Sequence, residues 1–166
     1  MKALTLTQPW ATLVAIGAKK IETRSWATKY RGPLAIHAAK GMPRSSEVAC
    51  YQNKFLRALQ SKYDMLPGRG YRWKDLLPIG AVIAVVELTD CRSTGKTGEF
   101  NPDGGRGWEC PDWVYRLTDE ERAFGDYSQD RYGWTLENVR QIEPVPAVGM
   151  LGLWEFEHPD LVRGEQ

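Results

Sequence analysis

The spacing of turn signals in the first forty residues constrains the fold most, because it leaves room only for short secondary-structure elements. Lys2 to Thr7 alternates apolar and polar residues, and the same period of two returns from Lys20 to Trp26, as in half-buried strands. Arg31-Gly32-Pro33 is a turn signal, and the apolar run Leu34 to Ala38 behind it predicts another strand. The chain therefore begins with several short strands rather than with one long element.

A short helix is predicted between the first two strands. Trp10 and Leu13 begin a run of residues at the spacing of one helix face, and Pro9 is tolerated in a first helical turn. We expect the helix to span about residues 8–16, with the Thr7 hydroxyl as its N-cap. Gly17 suits the left-handed position at which a helix ends.

A longer helix and a central strand follow. Ser45 or Ser46 can cap a helix that continues to about Lys62. The run from Ile79 to Asp90 is the most strand-like of the chain and predicts a mostly buried central strand.

Residues 91–131 are rich in glycine and proline, which is typical of a long loop. One helical turn is expected within it, since Thr118 and Glu121 have the spacing of a capping box and Gly125 can end the turn. Two closing strands and a bend between them are predicted at Tyr132–Val139, Leu151–Phe156 and Pro144–Ala147.

The order of these elements favours a small barrel. Short strands that do not alternate regularly with helices argue against a doubly wound parallel sheet. With 166 residues and a 42% share of hydrophobic residues, the chain has the size and composition of one domain. We therefore predict an α+β fold: a small mixed, mostly antiparallel β-barrel with helices at its rim.

Composition narrows the compartment and the partners. The three cysteines are far apart and form no Cys-x-x-Cys pair, which favours a reducing cytoplasm and no zinc site. No apolar run approaches the roughly 18 residues of a membrane span, so we expect no membrane association. A net charge of +1 provides no global attraction to polyanions, so any nucleic-acid surface must come from local clusters.

One such cluster lies in the segment after the first helix. A period of two places Glu22 and Arg24 side by side on one strand face, whereas Lys19 can join them only through a turn at Gly17. Arg24 can pair bidentately with a phosphate, Lys19 can act as a point charge or general acid, and Glu22 can accept from a base amine or take a proton from water. From the residues alone, a surface ion-pair cluster of about 0–1 kcal/mol is the alternative.

The pattern Gly17-x-Lys19-x-x-Glu22-x-Arg24, preceded by Gln8-Pro9-Trp10-Ala11 and followed by Arg31 to Ala38, resembles the signature of the ASCH domain family. The similarity resumes from Gly125 to Trp134 and from Pro144 to Trp154. The resemblance implies a PUA-like barrel, a single domain over residues 1–166 with insertions near 42–78 and 92–131, and a cleft lined by the Lys, Glu and Arg of the motif.

The same resemblance implies a function at that cleft. It points to binding of single-stranded RNA or a nucleotide, with Lys19, Glu22 and Arg24 as catalytic residues if the protein processes RNA like a ribonuclease. Some small family members deacylate N4-acylated cytidine with a Thr, Lys and Glu set. Their threonine position is Glu22 here, and a carboxylate cannot simply replace a hydroxyl nucleophile. Amidohydrolysis and a non-catalytic interaction module are therefore the two alternatives.

Basic and aromatic residues outside the motif are candidate nucleic-acid contacts. The segment 51–74 interleaves both types, as polyanion-binding surfaces do, although a solvated helix has the same composition. Rings that flank the motif can wall a base-sized pocket or pack in the core. With two histidines, a His-based metal centre is not expected; we predict no cofactor and leave a divalent cation open. The candidate nucleic-acid contacts are Trp10, Trp26, Lys40, Lys54, Arg57, Tyr132 and Trp134.

Overall fold

The computed structural model describes residues 1–62, 72–96 and 110–158, which form a curled six-stranded sheet with helices at its rim. The strands are β1 Lys2–Leu6, β2 Ile21–Arg24, β3 Gly32–Ala38, β4 Ala81–Ser93, β5 Tyr132–Pro146 and β6 Leu153–Glu155. Their order in the sheet is β2-β5-β4-β3-β1-β6; β1 and β3 are parallel, and the other neighbouring pairs are antiparallel. This half-barrel confirms the predicted α+β class and the mostly antiparallel sheet.

The curled sheet encloses apolar side chains from four of its strands in a common interior. Leu4, Ile36, Ile83 and Leu136 come from four different strands and belong to one core cluster. Their burial stabilises the fold by about 25 cal/mol for each Å² of apolar surface that is removed from water. The curl also brings edge strand β2 close to β1, and Arg24 of β2 donates a hydrogen bond to the Thr5 carbonyl of β1.

The helices are α1 Trp10–Ala15, α2 Arg44–Ala49, α3 Asn53–Gln60, α4 Trp73–Leu76, α5 Asp112–Tyr115 and α6 Asp119–Phe124. They form a second layer around helix α1. Ala11 and Val14 of α1 pack into the barrel interior, whereas Leu13 packs with Phe55 and Phe124 of the surrounding helices. Helix α1 therefore joins the barrel core to the core beneath the helices.

The prediction of one helix from Ser45 or Ser46 to Lys62 was wrong, since the chain forms α2 and α3 there. Gln52 has extended dihedral angles (φ −68°, ψ 139°) and separates the two helices. Neither serine caps α2, because Pro43 precedes it and Ser46 is buried within it. The break allows Ala49 and Phe55 to reach the same core.

The N-cap prediction for α1 was also wrong. Helix α1 begins at Trp10, and the buried side chain of Gln8 takes the place of the Thr7 hydroxyl. Gln8 Oε1 accepts from the Thr12 amide at 3.1 Å, and its Nε2 donates to the Pro78 carbonyl at 2.6 Å. This second bond ties α1 to the segment that enters β4. Gly17 has a φ of +75°, as the predicted left-handed helix end requires.

The last predicted bend is part of a strand instead. Strand β5 continues through Pro146, and Val145 pairs with Val82 of β4. Three register shifts along the β4–β5 pair and a φ of +48° at Asn138 allow β5 to follow the curl without ending. The connection to β6 begins only at Ala147.

The predicted helical turn in the 91–131 loop is present as α6. The Thr118 Oγ1 accepts from the Glu121 amide at 3.1 Å, and Gly125 follows the last helical residue. Part of the loop, residues 97–109, lies outside the described residues.

Candidate functional site

The turn after α1 places Lys19 beneath the start of β2. Gly17 donates to the Val14 carbonyl at 2.9 Å, and the Lys19 amide donates to the Leu13 carbonyl at 2.9 Å. The Lys19 side chain is 1% exposed, and its Nζ donates to the Ile21 carbonyl. The lysine therefore belongs to the turn, as expected from the period of two in β2, and its side chain points into the protein.

Lys19 lies between two buried carboxylates. Its Nζ is 3.7 Å from Glu22 Oε2 and 3.8 Å from Glu121 Oε1. Glu22 and Glu121 are 8% and 7% exposed. A buried ammonium needs such partners, because removing its charge from water is costly. The cluster is thus a buried ion network, and the alternative of a surface ion-pair cluster does not describe Lys19.

Glu22 and Arg24 share one face of β2, as the period of two predicts. Glu22 Oε1 is 3.2 Å from Arg24 Nε, and Arg24 Nη2 donates to the Thr5 carbonyl at 3.0 Å. This last bond spans from edge strand β2 to β1. The Arg24 side chain is 26% exposed, so part of the guanidinium reaches solvent.

Glu22 and Arg24 border a cleft of about 470 Å³ between the end of β1, strand β2 and helix α6. Asp126 adds a second carboxylate there and is 3.3 Å from Arg131 Nη1. Hydrogen bonds from Ser128 lower the pKa of Asp126, assisted by the charge of Arg131. The cleft thus offers both acceptor and donor groups on an aromatic and apolar wall. Its lining residues are Thr5, Leu6, Thr7, Trp10, Glu22, Thr23, Arg24, Ala123, Phe124, Gly125 and Asp126.

Glu121 is the residue of this network that the sequence interpretation did not assign to the site. Its two carboxylate oxygens accept from the Lys20 amide at 2.8 Å and the Ile21 amide at 3.1 Å. The Tyr127 hydroxyl donates to Glu121 Oε1 at 3.0 Å, and burial together with the Glu121 charge raises the pKa of Tyr127. The sequence signal for Glu121 was its capping-box spacing from Thr118. Its carboxylate accepts from the amides at the start of β2 instead of from the backbone of that N-cap.

The four candidate rings divide into one that lines the cleft and three that do not. Trp10 lines the cleft, and its Nε1 donates to the Phe124 carbonyl at 2.9 Å. Trp134 is 0% exposed and fills the barrel interior, with Trp26 packed edge-to-face on it at 4.6 Å. Tyr132 is half-buried against the same core and pairs with Arg24 in the sheet.

The candidate basic residues lie outside the cleft lining. Lys54 and Arg57 are on α3, whose Phe55 contacts both Trp10 and Phe124 edge-to-face. Helix α3 therefore stands behind the aromatic wall of the cleft. Lys40 is exposed at the end of β3, beside Gly80. Residues 63–71 of the basic and aromatic segment are outside the described part of the chain.

Within the ranges that the structure describes, no group of three or more His, Cys, Asp or Glu side chains has the arrangement of a metal site. In those same ranges, none of the helices is long and apolar enough to cross a membrane. His37 is buried on β3, where its Nε2 is 3.1 Å from the Ala147 carbonyl. It takes no part in the cleft.

The polar groups that line the cleft can form hydrogen bonds and ion pairs with a ligand. A ligand with N–H donors can use the Glu22 carboxylate, and a ligand with anionic oxygens can use the exposed part of Arg24. Lys19 stabilises this pair from behind, since its ammonium is closed to solvent.

Comparison with known proteins agrees with this architecture. The family model described as the ASCH domain matches residues 4–146. Activating signal cointegrator 1 of Homo sapiens and that of Mus musculus are each 36% identical to this chain over 100 residues. The match covers 60% of this chain and spans 16% of the length of those relatives. Because the family model covers most of the sequence, the chain belongs to the ASCH domain family.

Proposed function

We propose that this ASCH domain binds single-stranded RNA, or one nucleotide of it, in the cleft between β1, β2 and α6. The observation that carries the proposal is the Glu22–Arg24 pair, which borders a cleft of about 470 Å³ beside the Trp10 ring. The three free cysteines fit a role in the reducing cytoplasm.

The cleft groups suit a nucleotide in complementary ways. The Glu22 carboxylate can accept from the amine of a base, and the guanidinium of Arg24 can donate to a phosphate or a base edge. The Trp10 ring lines the cleft and can stack on a base, an interaction that contributes about 1–3 kcal/mol per base in single-strand binding. Asp126, whose backbone amide donates to Thr23 of β2, provides a further acceptor in the cleft lining.

The basic residues of helix α3 favour a ligand longer than one nucleotide. Lys54 and Arg57 belong to the helix whose Phe55 packs on Trp10, and they can contact phosphates of a strand that leaves the cleft. Lys54 has an exposed partner, Asp119, at 3.8 Å, so its charge is only weakly held within the protein.

Fluorescence anisotropy of labelled single-stranded RNA over a salt series tests the proposal. We expect Arg24→Gln and Glu22→Gln to weaken affinity about tenfold, or about 1.4 kcal/mol. Arg116→Gln is the matched control, because the Arg116 side chain is 81% exposed and lies outside the cleft lining. The RNA affinity of this variant should stay within about twofold of that of the wild type. Lys54→Gln should lower the magnitude of the salt slope by about 0.7, the contribution of one phosphate in a single strand.

Failure to bind RNA at low salt would reject the proposal, as would equal affinities of the Arg24→Gln variant and the wild type. Thermal unfolding of each variant must accompany the titration, since Glu22 also pairs with buried Lys19.

The two catalytic possibilities are decided by turnover assays on the same proteins. Incubation with a mixed RNA pool, with and without chelator, detects ribonuclease activity and its dependence on a divalent cation. Incubation with N4-acetylcytidine followed by chromatography detects amidohydrolysis. Turnover that Glu22→Gln abolishes would assign an enzyme, and RNA binding without either turnover would assign a non-catalytic interaction module.

A further inference from the structure

The carboxylate of Glu121 has a role that the cap of its own helix does not explain. At the third position of α6, an acidic residue ordinarily bonds the backbone of its own N-cap. Here both oxygens leave the helix and bond the amides of Lys20 and Ile21, at 2.8 and 3.1 Å. These contacts join parts of the chain that are 101 and 100 residues apart.

The contacts place Glu121 at the point where the motif strand begins. The Lys20 and Ile21 amides immediately precede Glu22, and Lys19 divides its charge between Glu22 at 3.7 Å and Glu121 at 3.8 Å. A change at Glu121 therefore acts on Glu22 in two ways, through the backbone of β2 and through the shared ammonium.

The same helix also forms a wall of the cleft. Ala123 and Phe124 at the end of α6 line it together with Glu22 and Arg24. The Tyr127 hydroxyl, just past the helix, donates to Glu121 and reaches the Ile21 carbonyl at 3.5 Å. Glu121 thus connects the wall of the cleft to the strand that carries its charged groups.

We propose that Glu121 is a positioning residue of the cleft, which fixes the start of β2 and holds Lys19 so that Glu22 and Arg24 face the ligand. The proposal rests on the proposed function as far as RNA affinity is concerned. Its structural part, the bonds from the Glu121 carboxylate to the β2 amides, can be measured without any ligand.

Glu121→Gln is the test variant, because glutamine retains the length of the side chain but loses its charge. We expect it to weaken affinity for the labelled single-stranded RNA about tenfold. Thr118→Ala is the matched control, since it removes the cap of α6 and leaves the Glu121 carboxylate in place. Its affinity should stay within about threefold of the wild type, although its unfolding temperature falls too.

If both variants lose affinity in proportion to their loss of stability, Glu121 only supports α6, and the positioning role is overturned. The ligand-free measurement is the ¹H–¹⁵N spectrum of the protein. Amide protons bonded to a carboxylate resonate downfield, so the Lys20 and Ile21 amides should move upfield in Glu121→Gln and stay in place in Thr118→Ala.

The two proposals fail in different ways. Absence of RNA binding by the wild type refutes the proposed function, and the amide spectrum then decides the positioning role alone. Unchanged Lys20 and Ile21 resonances in Glu121→Gln refute the positioning role, whatever the RNA titration shows.

Discussion

Replacing Lys19 by methionine should destabilise the fold far more than replacing an exposed lysine. The Lys19 side chain is 1% exposed, and Glu22 and Glu121 lie within 3.8 Å of its Nζ. Methionine fills similar volume, so the cavity cost is small, but two buried carboxylates lose their shared cation. Breaking a buried ion pair by removing one partner costs about 3–5 kcal/mol. In a domain of this size that corresponds to a decrease of about 6–20 °C in unfolding temperature.

Urea unfolding followed by tryptophan fluorescence measures this cost. Lys54→Met is the control, because Lys54 and Asp119 are also 3.8 Å apart but their side chains are 38% and 87% exposed. The cost of this variant should be under about 1 kcal/mol. The double variant Lys19→Met with Glu121→Gln removes one of the two carboxylates that lose their cation. Its destabilisation should therefore be smaller than the sum of the destabilisations of the two single variants, by about 0.5–3 kcal/mol. A Lys19→Met cost equal to that of Lys54→Met would refute the buried-network argument.

Three further predictions concern other parts of the chain. Gly149→Ala should cost about 1–3 kcal/mol in urea unfolding, because a Cβ there would lie 2.4 Å from His37 Cε1 and 2.8 Å from Thr5 Oγ1; an unchanged midpoint would contradict this packing. Burial lowers the pKa of His37 in the folded protein. As the pH falls below about 6.5, this histidine is protonated first in the unfolded chain, so the folded state loses stability as the pH decreases. The decrease in urea midpoint between pH 7.5 and 5.5 should be smaller in His37→Gln, and an equal decrease would assign the pH dependence to other groups. Trp10→Leu should weaken RNA affinity at least fivefold by loss of stacking, whereas Trp26→Leu, which alters a ring outside the cleft, should change affinity less than twofold; the reverse order would place the ligand elsewhere.

The fold class could be predicted from the sequence because its signals are local. Gly17 marks the end of α1 and adopts the positive φ expected of it. The run that became β4 carries enough apolar residues to identify a central strand. The boundaries that were mispredicted depend on distant partners. The Pro144–Ala147 segment reads as a bend, but Val145 pairs with Val82, more than sixty residues earlier.

The candidate site was predictable in part for the same reason. The neighbouring positions of Glu22 and Arg24 follow from strand periodicity, and the structure places their side chains 3.2 Å apart. Periodicity does not tell which face of a strand is buried, so Trp134 was equally compatible with the core and with a pocket wall. The contacts of Glu121 are not encoded locally, because they join α6 to a strand about a hundred residues away.

The burial of Lys19 changes how variants of this motif must be interpreted. Lys19 and Arg24 are both cations of the same signature, but Lys19 is enclosed between two carboxylates while part of Arg24 reaches the cleft. On the proposed function, a Lys19 variant would lose RNA affinity whenever it unfolds or displaces Glu22, so such a loss would not demonstrate contact between Lys19 and the ligand. An Arg24 variant that keeps its unfolding temperature and loses affinity does indicate contact. The ligand chemistry of the motif is therefore expected at Glu22 and Arg24, and Lys19 with Glu121 forms the support that holds them in place.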